Sequence, residues 1–355
     1  MTIITCYAII YVEKEMTNSC FREVLLIKPS LLQKRRLFFY ISKQFNQQFR
    51  KLFKKFFFLF MFIGNGSYTL IIMILFKGVI KISEKFYTYT NLSADIEYFC
   101  THYPEHPVFS IGKSLSGRDI YAIKLGRGMR RLFLSGAYHG TEHLTAKVLM
   151  KFATDIACGN IGYDAALDDI SLYTVPMVNP DGNGIAATGV YYQANARGVD
   201  INHNFDALWE LSKQAIAGTG IDRPGATKYP GSFPESEPET RAIADFTREN
   251  RFDAVMALHS QGEVIYYDFC GIVPDGTEEY LSEFERVSRY RRDVAVGSAA
   301  YGGFKDWFIK KFRRPGFTVE IGLGENPLPL SDFDSIYKDV FPILEALCFT
   351  NPERA

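Results

Sequence analysis

Apolar and polar positions fall into two regimes along this chain, with the change near residue 85. Beyond it, helical and strand spacings alternate. Ser93 to Tyr103 places Ala94, Ile96, Phe99 and Cys100 at helical intervals. Val108 to Gly126 reads as a hairpin turning at Ser116-Gly117. Leu132 to Ala137, Asp169 to Val178, Phe252 to His259 and Gly316 to Gly322 are short apolar runs that predict buried strands. Between them, Glu142 to Cys158, with Leu144, Val148, Leu149 and Phe152 inward, predicts a long helix. Pro238 to Asn250, Tyr280 to Arg291 and Leu330 to Phe349 predict three more, and Asn179-Pro-Asp-Gly182 a turn. This alternation predicts an α/β fold, a mixed central β-sheet flanked by helices on both faces.

Ahead of residue 86 the pattern is a basic stretch rich in Phe, Ile and Leu. Residues Phe56 to Phe76 carry no charge and are flanked by Lys54-Lys55 and Lys77. As a helix they would span about 31 Å at ~1.5 Å per residue, enough for a bilayer. Basic residues on the N-terminal side would keep that side cytoplasmic and the rest of the chain outside. Gly64-Asn-Gly-Ser67 interrupts the run and favours a turn over a helix. Three readings stay open: membrane association through residues 56–76; a signal-like segment, though with no small-x-small cleavage site after Phe76; and an unused extension, with translation starting at Met61 or Met73. Localisation follows the same choice, cytoplasmic or membrane-anchored with residues 86–355 outside.

Charge reinforces the division. The 355 residues have a formal net charge of zero, which gives no bulk attraction to nucleic acid. Yet residues 1–85 hold 14 Lys/Arg against 4 Glu, and the remainder holds 26 basic against 36 acidic side chains. Two regions are expected, a basic, hydrophobic segment over 1–85 and a folded domain over 86–355. The six cysteines are scattered without a Cys-x-x-Cys pair, so no disulfide framework is expected. Cys158 and Cys348 read as small buried helix residues.

Candidate chemistry lies at the ends of the predicted strands. The Leu132 strand ends before His139-Gly-Thr-Glu142, where an imidazole and a carboxylate three residues apart can converge on one zinc ion. The Phe252 strand ends in His259, and Glu320 lies inside the last apolar strand. Singly, these are a surface pair, a core histidine and a salt-bridged strand end. Together they supply three zinc ligands with a position for water, and a second carboxylate to act as base. In open α/β sheets, ligands bind at the carboxyl ends of strands.

In this order, Ser116-Gly-Arg-Asp119, His139-Gly-Thr-Glu142, Asn179-Pro-Asp-Gly182, Gly198-Val-Asp-Ile-Asn202-His203-Asn-Phe205, Ser236-Glu-Pro-Glu-Thr240, His259-Ser260, Gly302-Gly-Phe-Lys-Asp-Trp307 and Phe317-Thr-Val-Glu320 resemble the zinc carboxypeptidases of the carboxypeptidase A type over residues 86 to 350. Ala194-Asn-Ala-Arg-Gly-Val-Asp200, Leu258-His-Ser-Gln-Gly-Glu263 and Gly322-Leu-Gly-Glu-Asn-Pro-Leu-Pro-Leu330 are most similar to the bacterial branch that cleaves γ-D-glutamyl-diaminopimelate bonds in cell-wall peptides. The resemblance implies one Zn2+ per chain held by His139, Glu142 and His259, with Glu320 as general base. It implies a peptide or muropeptide substrate, and substrate-binding roles around Asn202, His203, Arg197, Gln193 and Lys305.

Departures from the family pattern fall on the substrate side. His203 stands where an arginine grips the substrate's terminal carboxylate, Gln193 where the oxyanion-side arginine aligns, with Arg197 nearby, and Ser298 where a tyrosine is usual. Lys305 stands at the side-chain pocket position, where a cation suits a side chain ending in a carboxylate, as in diaminopimelate. An ordinary metallocarboxypeptidase releasing C-terminal residues is the alternative. A deacylase with a similar His-x-x-Glu site and a catalytically inactive binding module are more distant ones. His143 reads as structural.

Overall fold

The computed structural model describes residues 85–159 and 164–352, together with four short strands ahead of them. These are β1 (Ala8–Lys14), β2 (Phe21–Ile27), β3 (Phe62–Gly64) and β4 (Ser67–Thr69); β1 pairs with β2 and β3 with β4, both antiparallel. The chain divides into two units, Met1–Ile82 and Ser83–Ala355. Among the described residues no helix is long and apolar enough to cross a membrane. The candidate anchor at 56–76 lies outside the described residues apart from β3 and β4, which pair Gly64 with Ser67 at the interruption read from the sequence.

The second unit holds α1 (Tyr89–His102), β5 (Val108–Lys113), β6 (Asp119–Gly126), β7 (Arg130–Gly136), α2 (His143–Ala157), α3 (Asp164–Asp169), β8 (Ile170–Val175), α4 (Pro180–Ala186) and α5 (Trp209–Ala217). It continues through α6 (Pro238–Asn250), β9 (Ala254–His259), β10 (Val264–Tyr266), α7 (Thr277–Val287), β11 (Arg291–Asp293), α8 (Phe304–Phe312), β12 (Gly316–Glu320) and α9 (Phe333–Phe349). Eight of the strands form one sheet in the order β11-β10-β12-β9-β7-β8-β6-β5. The central four, β12, β9, β7 and β8, run parallel, and β5, β6 and β10 are antiparallel to their inner neighbours. The mixed sheet covered by helices is the architecture that the alternation predicts.

Side-chain alternation divides two cores between the sheet faces. Leu132 and Leu134 of β7, Met256 and Leu258 of β9, and Phe317 and Val319 of β12 pack with α1, α2, α7 and α9. Phe133, Val255 and Ala257 face the other way, against Ile243 and Phe246 of α6 and Phe304, Trp307 and Phe308 of α8. The same period of two fixes the chemistry. His259 follows Ala257 by two residues, and Glu320 lies directly across from His259 in the parallel register. Both therefore project from the α8 face at the carboxyl ends of adjacent strands. β7 lies between β8 and β9, so the chain reverses its direction of strand addition there. That opens a crevice beyond the carboxyl ends of β7 and β9.

Three sequence expectations change. Arg291 does not end a helix; α7 stops at Val287 and Arg291–Asp293 adds an edge strand. Cys158 is exposed beyond the end of α2 rather than buried, whereas Cys348 is buried in α9. Pro180 to Ala186 is not only a turn: Asn179 caps a short helix with Pro180 at its first position, where a missing N–H is harmless. The described cysteines are free thiols.

Candidate active site and metal centre

His139 lies three residues past β7, in the tight connection to α2, and Glu142 is the N-cap residue of that helix. Gly140 makes the connection feasible, since a Cβ there would fall 2.3 Å from the Gly182 carbonyl oxygen. Asn179 locks the surrounding loops. Its carboxamide nitrogen donates to the carbonyls of Tyr138, Gln193 and Ala194 at 3.0–3.1 Å, and its oxygen accepts from Gly182 N–H at 2.8 Å. The Ser116-Gly-Arg turn docks beside it, with Ser116 N–H on Asp181 and Arg118 donating to the Pro180 carbonyl. Asn195 is held by the buried carboxylates of Glu237 and Glu239. The quoted motifs are thus mostly a scaffold around the His139 loop.

Glu142 stands between the two histidines. One carboxylate oxygen is 2.7 Å from His139 Nδ1 and the other 2.9 Å from His259 Nδ1. Ligand atoms of all three residues lie within 4.8 Å of one another. Two imidazole nitrogens and a carboxylate are a donor set that zinc accepts. His139 Nε2–H donates to Asp200 Oδ1 at 3.1 Å, which orients the ring and leaves Nδ1 toward the centre. Burial alone disfavours charge on His139, but Glu142 and Asp200 outweigh it and hold its pKa well above the usual value. Burial would raise Asp200, yet His139 keeps it well below the usual carboxylate range. The pocket thus favours positive charge at the point where the ligand atoms meet. The geometry and the donors fit one divalent ion. His259 Nε2 is buried without a hydrogen-bond partner among the described residues, and its ring stacks on Tyr138.

Glu320 reaches the same space from β12. Burial and then the Glu142 charge push its carboxyl up to about 8, with His139 acting the other way. A carboxylate with a raised pKa at a metal centre suits proton transfer near neutral pH. His143 points elsewhere: it accepts from Tyr87 N–H, donates to the Leu328 carbonyl and is pushed down to about 4, mainly by burial. It is a structural staple.

The zinc carboxypeptidase family profile matches residues 92–342. The chain belongs to the zinc carboxypeptidase family. It is 36% identical to gamma-D-glutamyl-L-diamino acid endopeptidase 1 of Lysinibacillus sphaericus, over 73% of this chain and 72% of that protein. It is 32% identical to the uncharacterized protein YqgT of Bacillus subtilis, over 74% and 77%. Among solved structures, bovine thrombin-activatable fibrinolysis inhibitor shares the fold at a TM-score of 0.63 and 22% identity, covering 75% of this chain and 97% of that one. As a member of the family the protein is a zinc metallopeptidase, and zinc is its cofactor.

Asn202, His203, Gln193, Arg197 and Lys305, the residues expected to meet substrate, are each engaged by groups of the fold. Asn202 caps α8 by accepting from Phe304 N–H at 3.1 Å. His203 Nδ1–H donates to Ser212 Oγ at 3.3 Å, and that hydroxyl donates to the Tyr301 carbonyl. Burial lowers the His203 pKa although Asp200 opposes this, so the residue is no ready substitute for a guanidinium. Gln193 accepts from the Thr227 hydroxyl, and its carbonyl holds Gly140 N–H at 3.1 Å. Arg197 is exposed and ion-paired with Glu237 at 3.3 Å. Lys305 is neither solvated nor free: its ammonium is buried, 2.5 Å from Asp306 Oδ1, and donates to the Asp268 carbonyl. Asp200 is the residue that sequence reasoning passed over. It stood in the Gly198-Val-Asp-Ile-Asn202 motif, but only folding brings it to His139.

Proposed function

We propose that this metallopeptidase hydrolyses the amide bond between the γ-carboxyl of D-glutamate and diaminopimelate in cell-wall muropeptides. The observation that carries the reading is the pair Asn202-His203. A peptidase gripping a free C-terminal carboxylate needs a charged fork there, and a half-buried histidine bonded to Ser212 does not supply one. The 36% identity to a γ-D-glutamyl-L-diamino acid endopeptidase supports the same direction.

In the proposed mechanism His139, Glu142 and His259 would hold a zinc ion, which when bound would supply Lewis acidity for amide hydrolysis. Glu320 would take a proton from the attacking water and deliver it to the leaving amine. Asp200 keeps His139 in the orientation that presents Nδ1. Diaminopimelate ends its side chain in both an ammonium and a carboxylate; Lys305, at the side-chain pocket position, would meet that carboxylate only by giving up its pairing with Asp306. Asn202, His203, Gln193 and Arg197 complete the proposed substrate surround.

Product mass spectrometry after incubating zinc-loaded protein with a diaminopimelate muropeptide, and separately with an ordinary peptide, tests the proposal. Cleavage between glutamate and diaminopimelate is expected, with the ordinary peptide intact. Stepwise release of C-terminal residues from the ordinary peptide, with the muropeptide untouched, would establish the carboxypeptidase alternative.

A further inference from the structure

The cations expected to read an acidic substrate are occupied or replaced here. Arg197 is committed to Glu237 and Lys305 to Asp306, while His203 and Gln193 carry no fixed charge fork. A different cation is built into the loop between α5 and α6. That loop is clamped to the site from both sides. Gln193 and Ala194 N–H groups donate to the Ala226 carbonyl at 2.8 and 3.0 Å, and Asp200 N–H donates to the Tyr229 carbonyl at 2.8 Å. The Thr227 hydroxyl holds the Gln193 side chain.

Between these anchors, Lys228 N–H donates to Asp200 Oδ2 at 2.9 Å. The other oxygen of the same carboxylate receives His139 Nε2–H at 3.1 Å. Lys228 is therefore one hydrogen bond behind the partner of a metal-site histidine. Its backbone takes φ +63°, a conformation rare for a residue with a side chain, so the surrounding bonds dictate it. The side chain is exposed, and no carboxylate pairs with it among the described residues. A compact ammonium on a four-carbon stem, with its root fixed beside the site, is suited to meet an acidic group near the scissile bond.

We propose that Lys228 is a specificity-determining residue that pairs with the free α-carboxylate of a γ-linked glutamyl group on the acyl side of the bond being cut. An ordinary α-linked residue has an amide at that point and offers no charge. The inference rests on the γ-glutamyl reading above, and names the residue that would enforce it.

Zinc-loaded full-length protein decides this with two pairs of probes. One pair is a muropeptide with the glutamyl α-carboxyl free or amidated, compared by kcat/KM. The other is the dipeptide L-alanyl-γ-D-glutamate and its α-amide, compared by calorimetric binding. Wild type should favour the free acid about tenfold or more in both, chiefly through KM. Lys228→Met should bring both ratios close to one, and Lys228→Arg should restore them. Amidating diaminopimelate instead should leave the effect of Lys228→Met unchanged. Equal handling of acid and amide by wild type, no dipeptide binding, or a ratio that survives Lys228→Met overturns the proposal. If neither muropeptide is cleaved, the γ-glutamyl reading fails by itself, while the dipeptide affinities still judge Lys228.

Discussion

Glu320 is a carboxyl group on a strand end, raised to about 8 by burial and by Glu142. Glu320→Gln should keep zinc and lose about 10²–10⁴-fold in turnover, because an amide cannot accept the water's proton. Metal analysis beside kcat separates this from loss of the ion; activity near wild type would move the base elsewhere. The same shift makes a stability prediction. An acid whose folded pKa exceeds its unfolded value keeps a proton in the native state that the unfolded chain has released, so stability falls as pH rises from 4.5 toward about 8. The Tm of zinc-stripped protein should fall across that window, and Glu320→Gln should flatten the fall. Zinc loading should reduce it too, because a divalent charge favours the ionised carboxylate. An identical fall in the Gln variant would assign the effect to other groups.

At the scale of elements, the site depends on loops held together by a few buried polar groups. Asn179 alone closes the β7–α2 connection, the start of α4 and the Gln193 segment. Asn179→Ala leaves the Tyr138 and Ala194 carbonyls without this donor and the Gly182 N–H without its acceptor, each at a cost of about 1–3 kcal/mol when buried. The urea midpoint should drop by several tenths of a molar or more, and zinc should be released more readily to a chelator. Asn179→Asp keeps the bond from Gly182 N–H and loses the donors, so it should fall between wild type and Ala. A midpoint unmoved by both changes would mean that water replaces the carboxamide. The strands carrying the ligands were legible because β7, β9 and β12 are apolar on both faces and bounded by turn residues. The strand β10, the edge strand β11 and the helices α5 and α8 were not. Val264–Tyr266 and Arg291–Asp293 are too short to show a period, and Trp209–Ala217 and Phe304–Phe312 owe their helicity to packing as much as to spacing.

For the whole molecule, composition separates residues 1–85 from the rest, and the unit from Ser83 onward contains the sheet and every candidate site residue. A protein beginning near Lys85 should be soluble, bind zinc and match full-length kcat/KM on the same substrate. Aggregation of that shorter protein beside a stable full-length chain would show that residues 1–85 contribute to the fold.

The sequence by itself determined the fold class, the strand ends that carry His139, His259 and Glu320, and the family motifs. Those features are local: periodicity of two or 3.6, turn residues, and ligand pairs a few residues apart. Tertiary structure alone decided which partners each charge receives. Asp200 lies 61 residues from His139 yet orients it, and Glu142 joins His259 across 117 residues. Lys305 looks like a free cation in one dimension and is buried against Asp306 in three. The work of a charged group depends on burial and on neighbours remote in sequence, and local patterning contains neither.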